Sequence, residues 1–113
     1  MRIWIEDGQR RMTQEQKDFR ELIQVSCMND IDLYNGAAIR FARKYIPKKA
    51  IEYFLPPTVA FEKEDYERQV HNLIHVYHVV KSLRFQIKFM KAMGEAPDPE
   101  DLEQLRRGEE MGF

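Results

Sequence analysis

Residues 61–93 read FEKEDYERQVHNLIHVYHVVKSLRFQIKFMKAM and contain neither glycine nor proline. Acidic residues crowd the start of this stretch, and Lys88 and Lys91 lie near its end. This distribution matches the dipole of an α-helix, whose N-terminus favours negative charge and whose C-terminus favours positive charge. Gly94 then supplies a residue type at which helices commonly stop. The sequence therefore predicts one helix from about Phe61 to Met93, roughly 45 to 50 Å long at about 1.5 Å per residue.

Three further helices are predicted on the amino-terminal side of this long helix. Thr13 is followed three positions later by Gln16, the arrangement of a capping box, and this pair starts the first of them. Apolar residues recur every three or four positions between Tyr34 and Tyr45, which indicates a second amphipathic helix. Pro47 suits the first turn of a third helix over residues 47–55, because its fixed φ is already helical.

The two ends of the chain are predicted to add less to the core. Residues 1–12 are interpreted as an N-terminal arm, and residues 95–113 as a linker, a short helix that Asp98 caps and Gly108 ends, and a frayed tail. A chain of 113 residues, 43% hydrophobic and 33% charged, has the size and composition of one folded domain. The predicted fold is an all-α bundle of four to five helices, in a single domain 1–113, built around the long helix.

The charge balance and the single cysteine restrict the classes of function. The chain has 18 Lys and Arg residues against 19 Asp and Glu residues, so no overall field attracts nucleic acid or a membrane surface. Cys27 has no second cysteine to pair with, which fits a reducing cytoplasm. No apolar run is long enough for a secretory signal or a membrane span. A cytoplasmic protein without a membrane partner is expected.

The long helix carries a heptad pattern of apolar residues. Starting from Tyr66 and from Gln69, every seventh residue falls on an a or d position, and only Gln69 is polar. Such a seam fits antiparallel packing against helices of the same chain, or a coiled coil between two copies. The predicted interface residues on this seam are Leu73, Val76, Val80, Leu83, Ile87 and Met90.

More apolar surface lies outside the seam. In the first half of the helix this surface lies on one flank, formed by Val70, Ile74 and Tyr77. In the second half it lies on another flank, formed by Phe85, Phe89 and Met93. Either the other helices of the chain wrap both flanks, or part of this surface is exposed to a partner. The second reading predicts a non-enzymatic interaction or assembly module, an adaptor, inhibitor or small component of a larger complex. It would self-associate or bind a protein partner through the long helix.

Two basic clusters support an alternative hypothesis, nucleic-acid binding. If both clusters face the same way, their side chains can contact phosphates along one backbone. Cations near helix C-termini are explained equally well by the helix dipole, and the chain has no net positive charge. The residues of the two clusters are Arg40, Arg43, Lys44, Lys48 and Lys49, and Lys81, Arg84, Lys88 and Lys91.

Metal and catalytic chemistry have weaker support in the sequence. His71, His75 and His78 share one face of the long helix, but the first and last lie about 10 Å apart along its axis, too far for one ion. No second group of His or Cys residues complements them, so solvated or aromatic-packed histidines are expected. Cys27 has no basic neighbour in sequence, and no glycine-rich phosphate loop is present. We therefore expect no enzymatic activity, no cofactor and no resident metal.

Overall fold

The computed structural model describes residues 12–113, and within this range the chain forms five helices and no strand. The prediction of an all-α fold built around one long helix is confirmed for these residues. The predicted arm over residues 1–12 lies outside them, except for Met12. The helices are α1 Gln14–Ser26, α2 Ile31–Tyr45, α3 Lys48–Phe54, α4 Lys63–Ala92 and α5 Pro99–Glu110.

The first two helices begin and end where local hydrogen-bonding groups direct them. The Thr13 hydroxyl accepts a hydrogen bond from the Gln16 backbone N–H at 3.1 Å, and the Gln16 side chain accepts one from the Thr13 N–H at 2.9 Å. This is the predicted capping box. Asn29 adopts a left-handed φ of 57° after α1. Asp30 then accepts a hydrogen bond from the Leu33 N–H at 3.0 Å, which satisfies a free donor at the start of α2.

The described residues group into two compact units, of which the first ends at Phe41 and the second is Ala42–Phe113. In the first unit, the rings of Phe19 and Phe41 lie 5.6 Å apart and are tilted by 56°, a favourable geometry for an aromatic pair. Leu22 and Ala38 are buried as well. The boundary between the units falls inside α2, whose last turn belongs to the second unit.

The second unit is organised on α4, which both α3 and α5 contact. Its most deeply buried large side chains are Val70, Leu73 and Val80, all on α4. Helix α5 runs antiparallel to α4. Asp101 near the start of α5 accepts a hydrogen bond from Gln86, whereas Gly108 near its end lies against Val80. Within residues 12–113, no helix is both long and apolar enough to span a bilayer.

The observed end of α5 differs from the end predicted at Gly108. The sequence suggested that this glycine stops the helix, yet α5 continues through it to Glu110, and Gly108 is buried. A Cβ at this position would lie 2.4 Å from Cγ2 of Val80. The glycine is there because α4 and α5 approach too closely for a side chain. The start of α5 is as predicted, since Asp98 accepts a hydrogen bond from the Glu100 N–H at 2.9 Å.

The carboxy-terminal residues pack against the second unit, where the sequence suggested a frayed tail. The Phe113 ring lies 6.4 Å from the Phe54 ring in an edge-on contact. The main-chain oxygen of Phe113 accepts a hydrogen bond from Arg84. Gly112 has a φ of 115° and lies so close to α3 that a Cβ would be 2.6 Å from the Ala50 nitrogen. These contacts join residues that are far apart in sequence. Residues 109–113 have no periodic pattern that would predict such contacts.

Candidate interaction surface

Most of the predicted a/d seam is core of this chain. Leu73, Val80, Leu83 and Ile87 are 0%, 2%, 6% and 6% exposed. Val76 and Met90 are half-buried. The buried four therefore offer no open surface on the isolated chain. Any contact that α4 makes with a partner has to use other residues.

The buried face of α4 rotates along the helix. In the first half it includes Val70, Ile74 and Tyr77, whereas in the second half it is made by Val80, Leu83 and Ile87. At 100° per residue, the centre of the buried face shifts by roughly 100° between the two halves. In the second half α5 packs over Val80. The apolar flank that the sequence indicated for this half is consequently left uncovered by the described residues.

That uncovered flank consists of Phe85, Phe89 and Met93, which we call the phenylalanine patch. Their side chains are 74%, 57% and 63% exposed. The two rings lie 6.5 Å apart with planes inclined by only 15°, so they stack side by side on the helix surface. Clustered exposed apolar side chains of this kind commonly mark a contact site on a soluble domain.

The three histidines lie on the same side of α4 as the phenylalanine patch. His71, His75 and His78 are exposed, and in an ideal helix they lie within about 80° of Phe85 in rotation. Within residues 12–113, no three His, Cys, Asp or Glu side chains converge to hold a metal ion. The histidines thus extend the outer surface of α4 towards its amino-terminal half.

Charge is distributed unevenly around the phenylalanine patch. Residues 68–94 contain no Asp or Glu. Within residues 12–113, Lys88 and Lys91 form no ion pair, whereas Arg84 lies 3.9 Å from Glu109. All four cations of the second predicted cluster lie on one side of Phe85, rotated from it by about 40° to 120° in an ideal helix. They are Lys81, Lys88, Arg84 and Lys91 in order of increasing angle.

The opposite side of the patch carries negative charge. Gln86, rotated about 100° from Phe85 in the other direction, donates a hydrogen bond to Asp101 of α5 at 3.4 Å. Further along α5, Glu103 accepts a hydrogen bond from Arg106 at 2.5 Å. This bond, together with the charges of Arg106 and Arg107, lowers the pKa of Glu103 to about 2. The patch therefore has cations on one side and the carboxylate of Asp101 on the other.

The first predicted basic cluster is divided between the two units. Arg40 belongs to the first unit, and Arg43, Lys44, Lys48 and Lys49 are exposed in the second. Lys48 pairs with Glu52 at 3.7 Å. A pocket of about 160 Å³ brings this segment against the second cluster. It is smaller than the roughly 300 Å³ of the smallest usual ligand sites, and it is lined by Tyr45, Pro47, Tyr77, Val80, Lys81, Arg84 and Phe113.

Comparison with known proteins adds no functional information. No protein-family model, no curated protein sequence and no solved structure matches the chain. Function must therefore be argued from the exposed chemistry of the described residues, of which the phenylalanine patch and its two charged borders are the most distinctive.

Proposed function

We propose that this chain is a non-enzymatic protein-protein interaction module, a small component of a larger assembly, and that α4 is its contact element. The observation that carries the proposal is the exposure of Phe85, Phe89 and Met93 on one face of that helix. Complete burial of a large apolar side chain contributes about 1.5 to 3 kcal/mol. A partner that covers all three side chains gains several such contributions.

The phenylalanine patch is not needed to complete the core. The second unit already buries Val80, Leu83 and Ile87 on the opposite side of the same stretch of α4. Exposed aromatic and methionine side chains are enriched at protein interfaces, where they supply adaptable apolar area. Surface of this composition therefore supports a contact role for the outer side of α4, in place of the seam residues that the heptad pattern indicated.

The test is to capture partners from the source cells with the tagged chain and with a Phe85→Ser/Phe89→Ser variant. We expect the wild-type chain to retain a partner stoichiometrically and the variant to lose it, because the two largest contact side chains are removed. An Ile31→Ser variant is the matched control, since Ile31 is also a 61% exposed apolar residue but lies in the first unit. Equal retention by all three proteins would refute the proposal.

Nucleic-acid binding is the second candidate, and one observation favours it. Tyr45 and Pro47, which are neighbours in sequence of Lys44 and Lys48, line one pocket together with Lys81 and Arg84 of the second basic cluster. Phosphate binding there predicts an electrophoretic shift that weakens steeply as salt rises. Absence of a complex at about 50 mM salt, where counterion release favours binding, would remove this candidate.

A further inference from the structure

We infer that the phenylalanine patch binds a second copy of this chain, with the two α4 helices packed in parallel about a two-fold axis that runs along them. This inference rests on the proposed function and names the partner. Two observations carry it. One is an exposed heptad seam on the outer side of α4, and the other is the pair of opposite charges on the two sides of that seam.

The outer side of α4 carries a second heptad seam, which we call the outer seam. Its residues recur at alternating intervals of three and four positions, the a/d spacing of a two-stranded coiled coil. Every one of them is exposed, so the core and the outer seam use different faces of one helix. The outer seam consists of His75, His78, Ser82, Phe85, Phe89 and Ala92.

The apolar contact lies at the carboxy-terminal end of the outer seam. Phe85 and Phe89 take neighbouring d and a positions and are 74% and 57% exposed. In a parallel pair each a or d residue meets the same residue of the partner. The two phenylalanines of each copy would therefore bury those of the other. Ser82 and His78 continue the seam as polar residues, a feature that selects register and strand number in coiled coils at a cost in stability.

The charges beside the outer seam complement each other in a parallel pair. A two-fold axis along α4 places the basic side of one copy against the Gln86 side of the other. Lys81 takes a g position, and a parallel partner presents Gln86, the e position of the next heptad, opposite it. Gln86 donates a hydrogen bond to Asp101 at 3.4 Å, so Asp101 of the second copy comes close to Lys81. The ammonium group of Lys81 has three donors, so a carboxylate can bind it in addition to the Tyr77 ring, 5.9 Å away in its own chain.

An antiparallel pair across the same face lacks this complementarity. Its two-fold axis lies across α4, so it brings the basic side of one copy to the basic side of the other and the Asp101 side to the Asp101 side. Like charges that face each other in an interface oppose association. A bilayer or a nucleic acid laid over the whole patch would meet cations on one side and the carboxylate of Asp101 on the other. The parallel second copy satisfies both sides at once.

Gel filtration with light scattering tests association of the full chain. We expect a mass of two chains for the wild type across micromolar concentrations and of one chain for Phe85→Ser/Phe89→Ser. A single-chain mass of the wild type overturns the inference, and so does a two-chain mass that the variant keeps. If the wild type is a monomer that still captures a different protein through the patch, the proposed function stands without the second copy. A monomer that captures nothing refutes both.

Cysteine crosslinking tests the parallel arrangement. In a Cys27→Ser background with oxidised glutathione as the oxidant, Ser82→Cys and Ala92→Cys should each form a disulfide between copies. The reason is that every seam position of a parallel pair faces itself. An antiparallel pair brings only one point along α4 opposite itself, so crosslinking at just one of the two positions overturns the parallel arrangement. Lys91→Cys is the control that should not crosslink, because Lys91 is exposed but rotated by about 120° from Phe85.

Charge exchange between copies tests the complementarity. Lys81→Glu alone and Asp101→Lys alone should each weaken the pair by about tenfold or more, because each change sets like charges against each other across the interface. An equimolar mixture of the two variants should associate as tightly as the wild type, because each mixed pair again joins opposite charges on both sides. Lys63→Glu is the matched control that should leave association unchanged, because Lys63 pairs with Glu67 at 3.9 Å near the other end of α4. Only a contact between copies is restored by mixing, so a mixture as weak as its components overturns the inference.

Discussion

At the scale of single residues, Gly108 shows how one missing side chain permits a helix pair. We predict that Gly108→Ala destabilises the second unit by about 1 to 2 kcal/mol, even though alanine favours helix by about 1 kcal/mol. The added Cβ would lie 2.4 Å from the Val80 side chain, a distance that forces α4 and α5 apart. Urea unfolding followed by circular dichroism measures the change.

Gly36→Ala is the control for this substitution. Gly36 also lies inside a helix, but a Cβ there would meet only the flexible end of Arg40, at 3.4 Å. Alanine at this position should be neutral or stabilising, by up to about 1 kcal/mol. Val80→Ala in the Gly108→Ala background should recover part of the loss. Equal effects of the two glycine substitutions would show that packing at Gly108 does not limit stability.

The residue scale is also where prediction from sequence was least complete. The capping box of Thr13 and Gln16 was predictable because its hydrogen bonds join residues three positions apart. The roles of Gly108 and Phe113 were not, because their partners, Val80 and Phe54, lie far away in sequence. A glycine near a chain end looks the same whether it stops a helix or admits a neighbouring one.

Glu103 offers a test of charge at the residue scale. The hydrogen bond from Arg106 lowers its pKa to about 2 from the ordinary 4.5. Because the folded-state pKa is depressed, the ion pair stabilises α5 above pH 4.5, and this contribution is lost as the pH falls towards 2. An NMR titration of the Glu103 carboxyl should show the low value, and Arg106→Gln should raise it. The same pKa in both proteins would exclude Arg106 as the cause.

At the scale of the helix, the two longest elements of the second unit differ in how they start. Asp98 caps α5 through a hydrogen bond to the Glu100 N–H, whereas Glu62 precedes α4 without a side-chain cap bond. We predict that Asp98→Ala lowers the free energy of unfolding by about 1 kcal/mol and that Glu62→Ala lowers it by only a few tenths. Thermal unfolding of both variants decides this. A larger loss from Glu62→Ala would contradict the assignment.

Local signals predicted that α4 forms and where it ends, but not which of its sides is buried. The formation and the end of α4 were predictable because the helix contains no Gly or Pro and its acidic and basic residues follow the helix dipole. Which side of α4 is buried depends on α5, because α5 covers Val80 and leaves Phe85 exposed. A heptad seam is compatible with both an internal core and an interface, and in this chain most of the seam is buried in the core.

At the scale of the whole molecule, the two sides of α4 should respond oppositely to the same substitution. We predict that Leu83→Asp/Ile87→Asp unfolds the second unit, because both side chains are 6% exposed and burying an unpaired carboxylate costs several kcal/mol. Two such costs approach the total stability of about 5 to 15 kcal/mol that domains usually have. Phe85→Asp/Phe89→Asp should instead keep the fold, because both positions face water.

Circular dichroism melting and gel filtration with light scattering measure both halves of this prediction. The core pair should lose its cooperative transition, whereas the patch pair should melt within a few degrees of the wild type and lose only partner binding. These positions alternate along one stretch of α4, so differences in local helix propensity are too small to explain the contrast. If the Leu83 and Ile87 variant stays folded and merely dissociates from a partner, the seam is an interface after all. The phenylalanine patch would then be secondary to it.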